Sequence, residues 1–164
     1  MMNTKKLYLA GGCFWGMQDL FRKRSGVIET NVGYAGGTEE RPTYESHDGH
    51  AEALEIIYDT DQTSLTELLD YFFRIHNPTT LNQQGNDRGT SYRSAIFYQN
   101  EDERQLAADF IDMVNNAGRW PDPVVTTLEP FSGFYLAEDF HQDYLEKNPG
   151  GYTCHVEHTG SYLD

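Results

Sequence analysis

The run Lys6-Leu7-Tyr8-Leu9-Ala10-Gly11-Gly12-Cys13-Phe14-Trp15-Gly16-Met17-Gln18-Asp19-Leu20-Phe21 changes its hydrophobic period halfway along. Lys6 to Ala10 reads as a short strand, and after the two glycines Phe14, Met17, Leu20 and Phe21 recur at helical spacing. Working outward, Val27 to Tyr34 is β-rich, and Ala51 to Tyr58 alternates with Leu54, Ile56 and Tyr58 on one face. Ser64 with Glu67 is a capping-box signature, and Leu65, Leu68, Leu69 and Phe72 form the apolar stripe of a helix that ends before Pro78. The polar stretch from Asn77 to Gly89 reads as a loop, and Tyr92 to Tyr98 as a strand. Asn100 is placed to cap a helix running to about Ala117, with Leu106, Phe110, Met113, Val114 and Ala117 inward. Val124 to Leu128 follows as a strand. A last helix would carry Ala137, Phe140, His141, Tyr144 and Leu145, stopped by Asn148-Pro149-Gly150-Gly151. The order βαββαβ, then αβα, predicts an α+β fold. The expected form is a two-layer sandwich with a ferredoxin-like (split βαβ) core, a C-terminal αβα extension and an irregular tail.

The 164 residues suit one domain, 1–164, with 148–164 expected as a mobile tail. A chain of this length buries about two-thirds of the surface it exposes when unfolded, so a core forms without disulfide staples. No repeat or long linker divides it. With 26 acidic against 12 basic side chains, the formal charge of -14 repels phosphate backbones and anionic lipid, which argues against nucleic acid and membrane as partners. No apolar run reaches the roughly 18 residues of a membrane span, and no signal-peptide segment is evident, so the expected compartment is the cytoplasm. There, two cysteines read as reactive thiols or buried fillers rather than a permanent bridge.

Cys13 falls in the first turn of the first helix, where unpaired N–H groups and the helix dipole favour a thiolate. Two readings stay open: a nucleophile with Phe14 and Trp15 walling a small apolar pocket, or a buried small hydrophobe among core aromatics. Glu52 shares the strand face of Leu54, Ile56 and Tyr58, so alternation sends a carboxylate toward the core. It is either a buried general acid with a raised pKa, or a strand-end side chain whose head reaches water. His47, Asp48, His50 and Glu52 crowd together, but no second motif with metal-ligand spacing accompanies them. Tyr44 and Tyr92 are phenol donors near turns in a chain with 11 tyrosines, and Asp87 could serve a site or fix its turn. Cys154, in the tail, has the placement a resolving thiol needs if Cys13 is oxidised in turn.

Together these segments resemble the A-type peptide methionine sulfoxide reductases. Gly12-Cys13-Phe14-Trp15-Gly16 resembles the family's nucleophile motif, and Gly49-His50-Ala51-Glu52-Ala53 its acid-bearing strand. Gln84-Gly85-Asn86-Asp87 with Gly89-Thr90-Ser91-Tyr92-Arg93-Ser94 is similar to its second active-site loop. Ala137-Glu138-Asp139-Phe140-His141-Gln142 and Lys147-Asn148-Pro149 are similar to its C-terminal signature. The resemblance implies that Cys13 attacks the sulfoxide, that Phe14 and Trp15 hold its methyl group, and that Glu52 donates the proton. It also implies that Tyr44 and Tyr92 bond around the sulfoxide oxygen, supported by Asp87, and that Cys154 recycles Cys13. It implies selectivity for the S epimer of methionine sulfoxide in peptides, proteins or free form. No bound cofactor or metal is implied, and thioredoxin or another dithiol is the external reductant. Two other readings compete: a two-cysteine peroxidase, which has no use for Glu52 or the Phe14-Trp15 pair, and an acidic protein-binding module with inert thiols. The chain departs from the family pattern in three places. Its segment between Tyr44 and His50 is short and lacks a cysteine found there in some members, Gln18 replaces a usual glutamate, and the tail has one cysteine where some members have two.

Overall fold

The computed structural model describes residues 3–37, 41–47, 49–151, 155, 157–158 and 160–163. Strand β1 (Thr4–Gly11) leads into helix α1 (Phe14–Phe21), followed by β2 (Val27–Ala35), β3 (Ala51–Asp59) and α2 (Leu65–Ile75). A two-residue hairpin, β4 (Gln83–Gln84) with β5 (Asp87–Arg88), and a 3-10 turn at Thr90–Tyr92 precede β6 (Ser94–Tyr98) and α3 (Glu101–Ala117). Then come β7 (Thr127–Pro130), β8 (Phe134–Leu136), a 3-10 turn at Asp139–His141 and α4 (Tyr144–Lys147).

Among the described residues, six strands form one sheet in the order β7-β6-β1-β3-β2-β8. The pairs β6-β1, β1-β3, β3-β2 and β2-β8 are antiparallel, and β6-β7 is parallel. A flat sheet would set its two edges about 24 Å apart, five steps of about 4.8 Å. The chain passes from Pro130 at one edge to Phe134 at the other, a stretch that spans at most about 14 Å. The sheet must therefore curl until its edges approach. The fold is mixed α+β, and curling is what closes it.

Alternation along the strands gives the sheet two different faces. Leu7, Leu9, Val32, Tyr34, Leu54, Ile56 and Ile96 pack with Phe14, Met17 and Phe21 of α1, Phe72 and Phe73 of α2, and Phe110 and Val114 of α3. The opposite face is small: Ala10, Ala35, Ala51, Ala53 and Ala95 leave room for Phe131 and Phe134 to lie close against Tyr8 and Phe97. Ser64 caps α2 as expected, its Oγ accepting from Glu67 N–H at 3.2 Å, while the Glu67 carboxylate turns to the Thr63 hydroxyl at 3.0 Å. Asn100 caps α3 by accepting from Glu103 N–H at 2.9 Å.

Three expectations are corrected. Met113 is 39% exposed and Ala117 also faces solvent, because α3 is buried only along the narrow stripe of Ala107, Phe110 and Val114. The strand expected at 124–128 forms later, as β7. The single helix expected through Ala137 to Leu145 is instead a 3-10 turn at Asp139–His141 and the start of one short helix, Tyr144–Lys147. Tertiary hydrogen bonds override the helical pattern there. The Gln142 amide accepts from Val32 N–H at 2.9 Å and donates to Val32 O at 2.8 Å, and Asp143 adopts φ 55, outside helical geometry. In the 148–164 segment, described residues dock on the body. Tyr162 N–H donates to Asp70 Oδ1 at 2.6 Å, Tyr71 OH to Glu157 at 3.1 Å, and His155 Nε2 to Gly11 O at 2.6 Å.

Removing either cap by Ser64→Ala or Asn100→Ala should lower stability by about 1 kcal/mol each, near-additively when combined, because the caps serve different helices. Urea unfolding of the two single variants and the double variant measures this.

Candidate active site

Strand β1 ends at Gly11, and α1 begins two residues beyond Gly12, with Cys13 as its N-cap residue. The turn depends on Gly12, whose φ is +96, and whose hypothetical Cβ would lie 2.6 Å from Gln84 Cγ. The Gln84 amide is fixed in turn, accepting from Asn77 N–H and donating to Asn77 O, both at 2.9 Å. Cys13 is consequently held at the helix start, 5% exposed.

Glu52 reaches the same place from β3. Register pairs it with Tyr34 on β2, and it shares the face of Leu54 and Ile56. It is 1% exposed, and its Oε1 accepts from Phe14 N–H at 3.1 Å. Oε2 is buried with no hydrogen-bond partner among the described residues. Burial pushes its carboxyl up to about 8, and the charge of Asp87 adds to this, while the Phe14 N–H works in the opposite direction. The head of Glu52 is therefore buried and does not reach water.

Two phenols complete the polar side. The side chains of Tyr44 and Tyr92 share a hydrogen bond. Both hydroxyls are pushed up, first by burial and then by the negative charge of Glu52, with Cys13 and Asp87 contributing further. Glu52, Asp87, Tyr44, Tyr92 and Cys13 thus act on one another electrostatically, although β3, the β4–β5 hairpin, a loop, a 3-10 turn and the N-cap of α1 supply them.

The other wall is aromatic. Trp15 stacks on Tyr144 with ring centroids 3.9 Å apart and lies nearly parallel to Tyr44 at 6.3 Å. Phe14 is fully buried between Tyr34 and Tyr44, with ring centroids 5.7 and 6.3 Å away. Tyr44 itself is held from behind. Glu138 accepts its backbone N–H at 3.2 Å and the Tyr34 hydroxyl at 2.9 Å. The site therefore joins an apolar aromatic wall to an acid and two phenols around a buried thiol. That combination suits a nucleophilic attack that places negative charge on a neighbouring oxygen.

The crowded His47, His50 and Glu52 diverge. His47 bonds to Thr43 O at 2.8 Å and Ser91 Oγ at 2.7 Å, and His50 Nδ1 accepts from Gly37 N–H at 3.0 Å. Among the described residues, no three His, Cys, Asp or Glu side chains converge as metal ligands. Asp48 and Cys154 lie outside the described residues. Sequence reasoning missed Tyr34, Glu138 and the site role of His141. The last appeared as an inward helical residue and within the C-terminal signature but with no role of its own, whereas its Nδ1 accepts the Trp15 indole N–H at 3.0 Å. A buried histidine beside two aromatics was the available signal.

Comparison with known proteins agrees with this geometry. Residues 5–162 match the profile of the family described as peptide methionine sulfoxide reductase. A relative from Mycolicibacterium gilvum, named peptide methionine sulfoxide reductase MsrA, is 58% identical over 160 residues, covering 98% of this chain and 95% of its own. The crystal structure of Mxr1 from Saccharomyces cerevisiae in reduced form superposes with a TM-score of 0.89 at 38% identity, covering 95% of this chain and 93% of that one. Mxr1 in complex with Trx2 superposes with a TM-score of 0.66 at 27% identity, covering 95% and 91%. A match that runs through both walls of the site and nearly the whole length of the chain places it in the peptide methionine sulfoxide reductase family.

Proposed function

We propose that the chain reduces the S epimer of methionine sulfoxide, in peptides, proteins or free form, to methionine, and so repairs oxidative damage. The observation that carries this reading is Glu52, a fully buried carboxyl bonded to Phe14 N–H inside a site that also contains a buried cysteine. Thiolate attack by Cys13 on the sulfoxide sulfur drives negative charge onto the sulfoxide oxygen. Tyr44 and Tyr92 stabilise that charge, Asp87 supports the network, and Glu52 supplies the proton. Phe14 and Trp15 hold the methyl group. The oxygen ends on Cys13, so the thioether leaves as methionine and Cys13 becomes a sulfenic acid. The Cys154 thiol then attacks that sulfur, a Cys13–Cys154 disulfide forms and water leaves.

An external dithiol restores both thiols, becoming a disulfide itself, and the Mxr1–Trx2 complex supports thioredoxin in that role. This cycle requires no bound metal or organic cofactor. The need for reduced thiols at the start of each turn supports a cytoplasmic setting. The antiparallel order β6-β1-β3-β2, with α1 joining β1 to β2 and α2 joining β3 to β6, supports reading the core as ferredoxin-like. We read 1–164 as one catalytic domain whose 148–164 tail carries Cys154.

Mixing reduced protein with a methionine sulfoxide peptide under nitrogen should consume two thiols for each methionine formed. Cys154→Ser should give about one methionine per chain and stop at the sulfenic acid, and Cys13→Ser should give none. A constant thiol count with substrate present refutes the reading.

In single-turnover experiments, methionine formation should slow as pH rises through about 8, the range in which Glu52 loses its proton. Glu52→Gln should be slower by about 10²-fold or more and should lack that alkaline limb. Wild-type rates in Glu52→Gln would remove Glu52 as the donor.

The same shift has a stability consequence. The folded-state pKa of Glu52 lies above its ordinary 4.5, so its contribution is fully present below pH 4.5 and is lost as pH rises to about 8. Gln has no such loss. Urea unfolding should therefore show Glu52→Gln more stable than wild type at pH 9 by on the order of 3 kcal/mol, with the difference shrinking toward pH 5.

A further inference from the structure

We propose that His141 is a positioning residue of the substrate pocket, its Nδ1 fixing the in-plane orientation of the Trp15 indole. The inference rests on reading Trp15 as a wall of the methyl pocket. Stacking on Tyr144 at 3.9 Å and 12° sets the plane of the indole. A stack has little preference for rotation within that plane, because the contact area changes slowly as one ring turns over another. The N–H to Nδ1 bond of 3.0 Å is directional and removes that freedom.

The chemistry of the imidazole supports this role over a packing role. Accepting from Trp15 requires a lone pair on Nδ1, which puts the proton of the neutral ring on Nε2. Nε2 is buried with no hydrogen-bond partner among the described residues. Leaving such a group unpaired is costly, and an apolar side chain of similar size would avoid that cost. An apolar side chain would in turn leave the Trp15 N–H without this acceptor, so what the imidazole contributes here is the bond made by Nδ1. Burial also pushes the ring's pKa down, with the charge of Glu138 opposing, which keeps the lone pair on Nδ1 at neutral pH. The ring sits where positioning matters, with centroids 4.5 Å from Tyr44 and 5.3 Å from Phe14.

The test uses the whole protein and two substitutions. In His141→Leu, the Trp15 indole N–H resonance, identified in ¹⁵N-labelled protein by its loss in Trp15→Phe, should move upfield. The KM for a methionine sulfoxide peptide should rise about 10-fold while kcat stays within about twofold, the pattern of lost binding rather than lost chemistry. His141→Asn, whose side-chain oxygen can stand where Nδ1 stands, should return the resonance and most of the KM. An unmoved indole resonance in His141→Leu overturns the proposal, as does Asn behaving like Leu while the protein remains folded by circular dichroism. If Trp15→Ala leaves KM unchanged, the reading of Trp15 as a pocket wall fails. The resonance still decides whether His141 holds the indole.

Discussion

The hydrogen bond from Phe14 N–H to Glu52 Oε1 ties the first turn of α1 to β3, the fourth strand in the sheet order, and the site is built around it. It satisfies one of the helix N-terminal donors that no residue within α1 can serve. It also orients the one carboxylate that β3 sends into the core. Two opposing effects meet at this oxygen: loss of water raises the pKa of Glu52, and the donated N–H lowers it. Burial wins because a single N–H satisfies one oxygen, and the other has no such donor among the described residues. A second donor would tip the group toward a carboxylate, which could stabilise no developing negative charge.

This arrangement constrains the chain on both sides. Placing α1 against Glu52 requires β1 to stop abruptly, and Gly12 makes the turn in a backbone region closed to most side chains. Gln18 then anchors the far side of the same helix. Its Nε2 donates to Thr30 O at 3.1 Å, while its Oε1 accepts from Asp143 N–H at 2.7 Å. A glutamate there, usual in the family the sequence resembles, could accept from Asp143 but could not donate to Thr30. The amide lets one buried side chain bridge β2, α1 and the segment that presents His141 and Tyr144. The substitution thus leaves the aromatic wall in place without burying another charge in the core.

What was legible in the sequence follows from the range of each cause. Cys13 and Glu52 were found because local rules place them: a period change across two glycines, and strict alternation in one strand. The helices capped by Ser64 and Asn100 were legible for the same reason. The segment from Ala137 to Leu145 was not. Its helical spacing is real, but the side chains that decide its path, Gln142 and Gln18, act on Val32 and on Asp143 across long sequence separations. Met113 was misassigned because spacing alone cannot tell how wide a stripe the neighbouring elements cover. The Tyr34–Glu138 and Trp15–His141 pairs escaped because polar partners brought together by a curled sheet leave no periodic trace.

The tail poses the remaining physical problem, since a second thiol far along the chain must meet the first once per proposed cycle. An unrestrained segment of that length would meet Cys13 rarely, because each encounter closes a large loop against conformational entropy. Docking removes most of that loop. Tyr162 bonds to Asp70 on α2, and Glu157 accepts from Tyr71 on the same helix. His155, the neighbour of Cys154 in sequence, bonds to the carbonyl of Gly11, two residues before Cys13. Burial pushes the His155 ring below its ordinary pKa, so it bonds as a neutral donor whose attachment does not depend on charge near pH 7. Holding His155 at Gly11 thus replaces the long loop between the two ends of the chain with an attachment at the start of α1.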